Sequence, residues 1–89
     1  MAEAARVVAV TGASRGIGAA IALELARRGF AVGCLSRGGR GPEQEVTQAL
    51  AARFVNVACD VNDEASVRAA FAALAARTGR LDGLVNNAG

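Results

Sequence analysis

Three glycines fall close together in the run Thr11-Gly12-Ala13-Ser14-Arg15-Gly16-Ile17-Gly18. Glycine at these places suits a loop that holds phosphate. Gly12 lets the chain leave a strand sharply, Gly16 lets backbone approach a pyrophosphate without a Cβ in the way, and Gly18 lets a helix lie close to that strand. A helix opening here offers unpaired N–H groups and a partial positive charge to the phosphates. A nucleoside-triphosphate loop would need Gly-Lys followed by Ser or Thr, whereas Ile17 follows Gly16 and the chain has no lysine. The spacing points to a dinucleotide held at Gly12, Gly16 and Gly18, with Ser14 and Arg15 of the same run as further candidate contacts.

Absent residue types exclude most other chemistry. Without Lys, Tyr, His or Trp there is no Schiff-base amine, no phenolic acid and no imidazole base. Ser14, Ser36 and Ser66 belong to the cofactor half or to a helix start and do not replace them. Cys34 and Cys59 lie in apolar runs without metal-ligand spacing, so they read as buried thiols and no metal site is expected. Arginines spread from Arg6 to Arg80, against 8 carboxylates, leave a formal charge of +2, too little and too dispersed for a nucleic-acid partner. The start, Met1 to Arg6, lacks a secretory signal, and no apolar run nears the roughly 18 residues of a membrane span. Neither membrane nor export is expected, and a reducing cytoplasm is the expected location.

The elements that must position the loop follow from periodicity. Val7 to Thr11 is a β-branched strand closed by Gly12. Gly16 to Arg28 reads as a helix with a stripe of Ile17, Ile21 and Leu25, stopped by Gly29 behind two arginines. Ala31 to Ser36 is a second strand. Pro42 is placed as the first residue of a helix running through Glu43, Val46, Leu50 and Ala51. Phe54 to Cys59 is a third strand. Asn62 or Asp63 caps a helix whose Val67, Ala70, Phe71, Leu74 and Ala75 recur at helical steps, and Gly79 ends it. Leu81 to Asn86 is a fourth strand. This order, β-α-β-α-β-α-β, implies one α/β domain over residues 1–89 with a doubly wound parallel sheet. Reversal of the winding after three strands makes strands one and four neighbours and opens a crevice at their carboxyl ends, lined by Gly12 and Asn86.

Thr11-Gly12-Ala13-Ser14-Arg15-Gly16-Ile17-Gly18, Cys59-Asp60-Val61 and Asn86-Asn87-Ala88-Gly89 together resemble the short-chain dehydrogenase/reductase family. Within it the chain looks most like 3-oxoacyl-(acyl-carrier-protein) reductases and other carbonyl reductases. The resemblance implies a Rossmann-like fold, here truncated after the fourth strand. It also implies that Gly12, Gly16, Ile17 and Gly18 contact phosphates, that Asp60 and Val61 frame the adenine, that Asn86 steadies the central strand or approaches the cofactor ribose, and that Ala88 and Gly89 lie where the chain passes it. The family's catalytic Ser, Tyr and Lys lie beyond the position of Gly89, so no catalytic residue is expected in this chain.

Cofactor choice rests on the end of the second strand. An NAD reader places Asp or Glu there, about 20 residues beyond the loop. Here the strand ends in Ser36-Arg37, and no carboxylate falls between Glu24 and Glu43. A guanidinium at Arg37 can fork onto a 2′-phosphate, and Arg15 can approach from the other side. Ser36 and Arg37 therefore join the candidate contacts, and NADP(H) is the expected cofactor. The expected reaction, in a full-length protein, is hydride transfer from NADPH to a small-molecule carbonyl, with homo-oligomer assembly implied by the resemblance. The rival expectation is a non-catalytic fragment or isoform that binds nucleotide weakly or not at all.

Overall fold

In the computed structural model, residues 5–44 and 46–87 are described. Alternation of strand and helix gives β1 (Val7–Thr11), α1 (Gly16–Arg27), β2 (Ala31–Ser36), α2 (Gln48–Ala51), β3 (Phe54–Ala58), α3 (Glu64–Thr78) and β4 (Gly83–Val85). The four strands form one sheet in the order β3-β2-β1-β4. All three pairings are parallel, with Val10 opposite both Cys34 and Val85.

Side chains alternate across the sheet with the period of two that strands impose. Val7, Ala9 and Leu35 face α3, where Ala70 and Leu74 close one core layer with Val67 and Phe71. Val10, Val32 and Cys34 face the other way and meet Ala22 and Ala26 of α1, with Leu50 of α2 alongside. Helices thus cover both faces, as a doubly wound sheet requires. Close approach on the α3 side depends on Gly33, where an added Cβ would lie 2.5 Å from Leu74 Cδ2. Each large side chain buried this way stabilises the fold by about 1.5–3 kcal/mol.

Two glycines stop helices as expected. Gly29 follows α1 at φ +96 and Gly79 follows α3 at φ +79, both in the left-handed region that glycine enters without a Cβ penalty. Asp63 is the residue that caps α3, its Oδ1 accepting the N–H groups of Ala65 at 3.0 Å and Ser66 at 3.3 Å.

The second helix differs from expectation. It does not begin at Pro42 but after Thr47, whose Oγ1 accepts the Leu50 N–H at 3.2 Å. Gly41 and Pro42 are buried instead, with Gly41 so close to the Asn56 side chain that a Cβ would collide with Oδ1. Contact with β3 holds this segment out of the helix, overriding the local preference of proline for a first turn. The α1 stripe differs too, because Ile17 is 73% exposed while Gly18, Ala22, Leu23 and Ala26 are buried. On α3, Ala75 is exposed rather than packed.

Candidate functional site

A cleft of about 680 Å³ opens at the carboxyl ends of the strands. Its lining comes from every strand end: Gly12, Ser14 and Arg15 after β1, Leu35, Ser36 and Arg37 at β2, Cys59, Val61 and Asn62 after β3, and Asn86 after β4. The crevice between β1 and β4, where the winding reverses, is the place where open α/β sheets take ligands.

The loop between β1 and α1 is built for close backbone approach. Gly12 and Gly16 hold φ of +65 and +62. A Cβ at Gly16 would meet no protein atom within 4 Å, so the space above it is open. A Cβ at Gly18 would run into the Gly12 carbonyl oxygen and come within 2.7 Å of Asn87 Nδ2. Gly18 is therefore where helix and loop touch, and Gly16 is where something else can. The start of α1 has no side-chain cap and no acid in its first turn. Its leading N–H groups and its positive dipole end therefore lack a capping side chain, which suits an anion.

Thr11 ties the exits of β1 and β4 together. Its Oγ1 accepts the Asn87 N–H at 3.0 Å and donates to Asn86 Oδ1 at 3.1 Å, while Asn87 Nδ2 donates to the Gly12 carbonyl at 3.5 Å. Neither Thr11 nor Asn87 was singled out from sequence. The signals were present in the Thr that opens the glycine loop and in the doubled asparagine.

The loop after β2 is fixed by Ser36. This buried hydroxyl donates to the Arg40 carbonyl at 2.7 Å and accepts the Arg40 N–H at 2.9 Å. The Ser36 carbonyl accepts the N–H of Gly39 at 3.1 Å and of Cys59 at 2.8 Å. Ser36 thus lines the cleft, but its hydroxyl holds its own loop. Arg37 projects from that loop with its side chain 76% exposed, and its Nε lies 3.9 Å from Asp60 Oδ1. Asp60 also accepts the Asn62 N–H at 3.0 Å, and its own N–H donates to Ser66 Oγ at 2.9 Å.

The structure brings Gly12, Ser14, Arg15, Ser36, Arg37, Val61 and Asn86 onto one cleft. Gly16 lines an adjoining groove of about 640 Å³ with Ser14, Arg15 and Glu43. Ile17 is exposed beside them, Gly18 is buried beneath them, and Asp60 stands at the rim against Arg37. Ala88 and Gly89 lie outside the described residues. Leu35, Cys59 and Asn62 line the cleft without having been expected there.

Neither thiol is poised as a nucleophile. Burial pushes Cys34 up to about 12. Cys59 is raised as well, first by burial and then by the negative charge of Asp60. A thiol raised in this way is inert at neutral pH. Among the described residues no group of three His, Cys, Asp or Glu side chains converges as metal ligands would, and no helix is long and apolar enough to cross a membrane.

The short chain dehydrogenase family matches residues 6–89. The chain belongs to that family. It is 45% identical over 86 residues to D-threitol dehydrogenase of Mycolicibacterium smegmatis, covering 94% of this chain and 33% of that protein. It is 40% identical over 83 residues to 3-oxoacyl-(acyl-carrier-protein) reductase of Staphylococcus aureus, covering 90% of this chain and 34% of the relative. Among solved structures it superposes on an actinorhodin polyketide ketoreductase with NADPH at a TM-score of 0.76 and 35% identity, covering 96% of this chain and 33% of the other. The chain spans about a third of the length of these proteins.

Proposed function

We propose that the cleft binds NADP(H), as the cofactor-holding part of an enzyme that reduces a small-molecule ketone by hydride transfer. The observation that carries this reading is the basic rim. β2 ends in Ser36-Arg37 with no carboxylate of its own, and Arg15 shares the same cleft. In this reading the loop from Gly12 to Gly18 and the uncapped start of α1 hold the pyrophosphate, Arg37 and Arg15 meet the 2′-phosphate, and Asp60 and Val61 frame the adenine. Asn86 approaches the ribose, with Ala88 and Gly89 as further candidate contacts. The open space over Gly16 and the absence of a capping acid fit a phosphate there. The bound cofactor supplies the hydride. With no Tyr, Lys or His among these residues, the proton donor belongs to the remaining two-thirds that the relatives possess. The relatives named reductases support a carbonyl substrate, and a cytoplasmic homo-oligomer is the proposed setting of the complete protein.

Replacing Arg37 by Asp tests the cofactor assignment. Hydrogen bonds to charged groups are worth about 1.5–3 kcal/mol, so losing one weakens NADPH binding by about tenfold to a hundredfold. NADH carries no 2′-charge and suffers much less. Calorimetric titration of both cofactors gives the ratio, and a general loss of folding leaves that ratio unchanged. An unmoved ratio would make Arg37 a solvated loop residue and remove the basis for NADP(H).

A further inference from the structure

We infer that Asp60 is the counter-ion from which Arg37 must detach to reach a 2′-phosphate, and that this exchange moderates the preference of the cleft for 2′-phosphorylated nucleotides. The inference rests on the NADP(H) reading above and adds to it a specificity-determining residue contributed by the loop after β3.

The two groups are held from separate elements. Arg37 leaves the loop that Ser36 staples through both polar groups of Arg40. Asp60 is anchored in the loop between β3 and α3, its carboxylate accepting the Asn62 N–H at 3.0 Å and its backbone N–H donating to Ser66 Oγ of α3 at 2.9 Å. Between them the Arg37 Nε and Asp60 Oδ1 stand 3.9 Å apart. The neighbouring charges have other work: Arg40 pairs with Glu43 at 3.8 Å, and Asp63 caps α3. Arg37 is 76% exposed and sits on a flexible stem. Its guanidinium can therefore turn from Asp60 to a phosphate while both backbones stay in place.

Consequences follow from the charges. A nucleotide bearing a 2′-phosphate replaces one ion pair with another, so its net gain from Arg37 is smaller than a free guanidinium would give. A nucleotide with a plain 2′-hydroxyl leaves Arg37 on Asp60 and forfeits nothing. Without a carboxylate at the end of β2, Asp60 is the nearby acid that lets the site retain some affinity for the unphosphorylated form.

Adenosine 2′,5′-bisphosphate and AMP differ by the 2′-phosphate alone, so the ratio of their affinities for the 89-residue chain isolates this effect from any adenine contact of Asp60. Asp60→Asn keeps the shape and the acceptor for the Asn62 N–H while removing the charge. It is expected to raise the ratio in favour of the bisphosphate by about two- to fivefold, the range over which exposed ion pairs act. Asp60→Ser repeats the measurement with a second uncharged acceptor. In an Arg37→Gln background the rise is expected to shrink, because the effect passes through Arg37. An unchanged or lowered ratio in both Asp60 variants overturns the inference, and so does an equal rise with Arg37 absent, which would assign the effect to the field of Asp60 alone. A parent chain that binds both nucleotides equally, or neither, overturns the NADP(H) reading itself, and the inference falls with it.

Discussion

A methyl group at residue 18 is expected to cost more stability than one at residue 16, although both glycines stand in the first turn of α1. At Gly18 the added Cβ collides with the Gly12 carbonyl oxygen, lies 2.8 Å from the carbonyl carbon and 2.7 Å from Asn87 Nδ2. Side chains rotate out of such overlaps, but the Gly12 carbonyl is backbone fixed between β1 and α1. Relief requires α1 to move off β1 and the loop, or the loop to move off β4, which weakens the Asn87 to Gly12 hydrogen bond. Overpacking of this kind costs about 1–3 kcal/mol, and a backbone obstacle places Gly18→Ala near 3. A domain this small holds roughly 4–13 kcal/mol in all, taking about 0.05–0.15 per residue.

Gly16→Ala meets no atom within 4 Å, and its cost is that of an L-residue at φ +62, about 1–2 kcal/mol. Its methyl, however, stands in the open space assigned to phosphate. Urea unfolding followed by circular dichroism measures both losses, provided the slope with urea stays constant between variants. Titration with nucleotide then separates them: Gly16→Ala remains folded and loses binding, whereas Gly18→Ala loses stability first. Gly18→Ala within about 0.5 kcal/mol of the parent, the range of an ordinary surface substitution, would refute the claim that helix and loop are in contact there.

Two further outcomes follow from the charges and thiols. The Arg80 side chain, then the Val7 N–H at 2.7 Å, hold Asp82 below the usual carboxylate range, so its contribution is present above roughly pH 4, the ordinary Asp value, and is lost as pH falls through the lower folded value. The gap in urea midpoint between the parent and Asp82→Asn should accordingly narrow on acidification below that point, and a constant gap would show that the pairing does not matter. Cys34 and Cys59 are buried and raised, so a disulfide reagent at neutral pH should titrate them only after urea is added, and rapid modification of the native chain would contradict their placement.

Much of this fold was legible because its elements are bounded by residues with unambiguous backbone preferences. β1 and β2 were expected at Val7 to Thr11 and Ala31 to Ser36, the bounds observed, since a β-branched run ended by Gly12 and an apolar run ended by Ser36-Arg37 leave little freedom. Gly29 and Gly79 marked helix ends for the same reason. The strand order followed from the alternation of strand and helix, which fixes which strands are neighbours once the winding reverses.

What escaped was decided by contacts between distant residues. Pro42 invites a helix locally, but its neighbour Gly41 lies against Asn56 of β3, and a preference of position cannot anticipate that. Ile17 shares a helical face with Ile21 and Leu25, yet it stands in the first turn, beside the cleft, where no strand covers it. Ser36 was expected among the cofactor contacts; its place on the cleft was legible, but the direction of its hydroxyl was not, because a tight turn to Arg40 leaves no periodic trace. The Asp82 carboxylate on the Val7 N–H joins residues 75 apart in sequence, beyond any local pattern.

The three helices begin in two different ways, and the difference bears on function. Thr47 and Asp63 cap α2 and α3 through side-chain oxygens, and Glu64 adds an acid to the first turn of α3. At α1 the residue in the capping position is Arg15, with φ −158, whose side chain accepts nothing, and no acid follows. Such a cap is ordinarily worth about 1 kcal/mol, which is not trivial for a chain this short. Ser14 stands one residue too early to supply it. Packing against β1 and β2 through Ala22 and Ala26 compensates, so the helix forms without a side-chain cap on its leading N–H groups. Those groups open beside the same cleft as Arg15 and Arg37, and an anion seated there would provide the missing cap. Ligand and cap are then one interaction, so whatever binds the loop also stabilises the fold, by an amount set by its concentration relative to its dissociation constant.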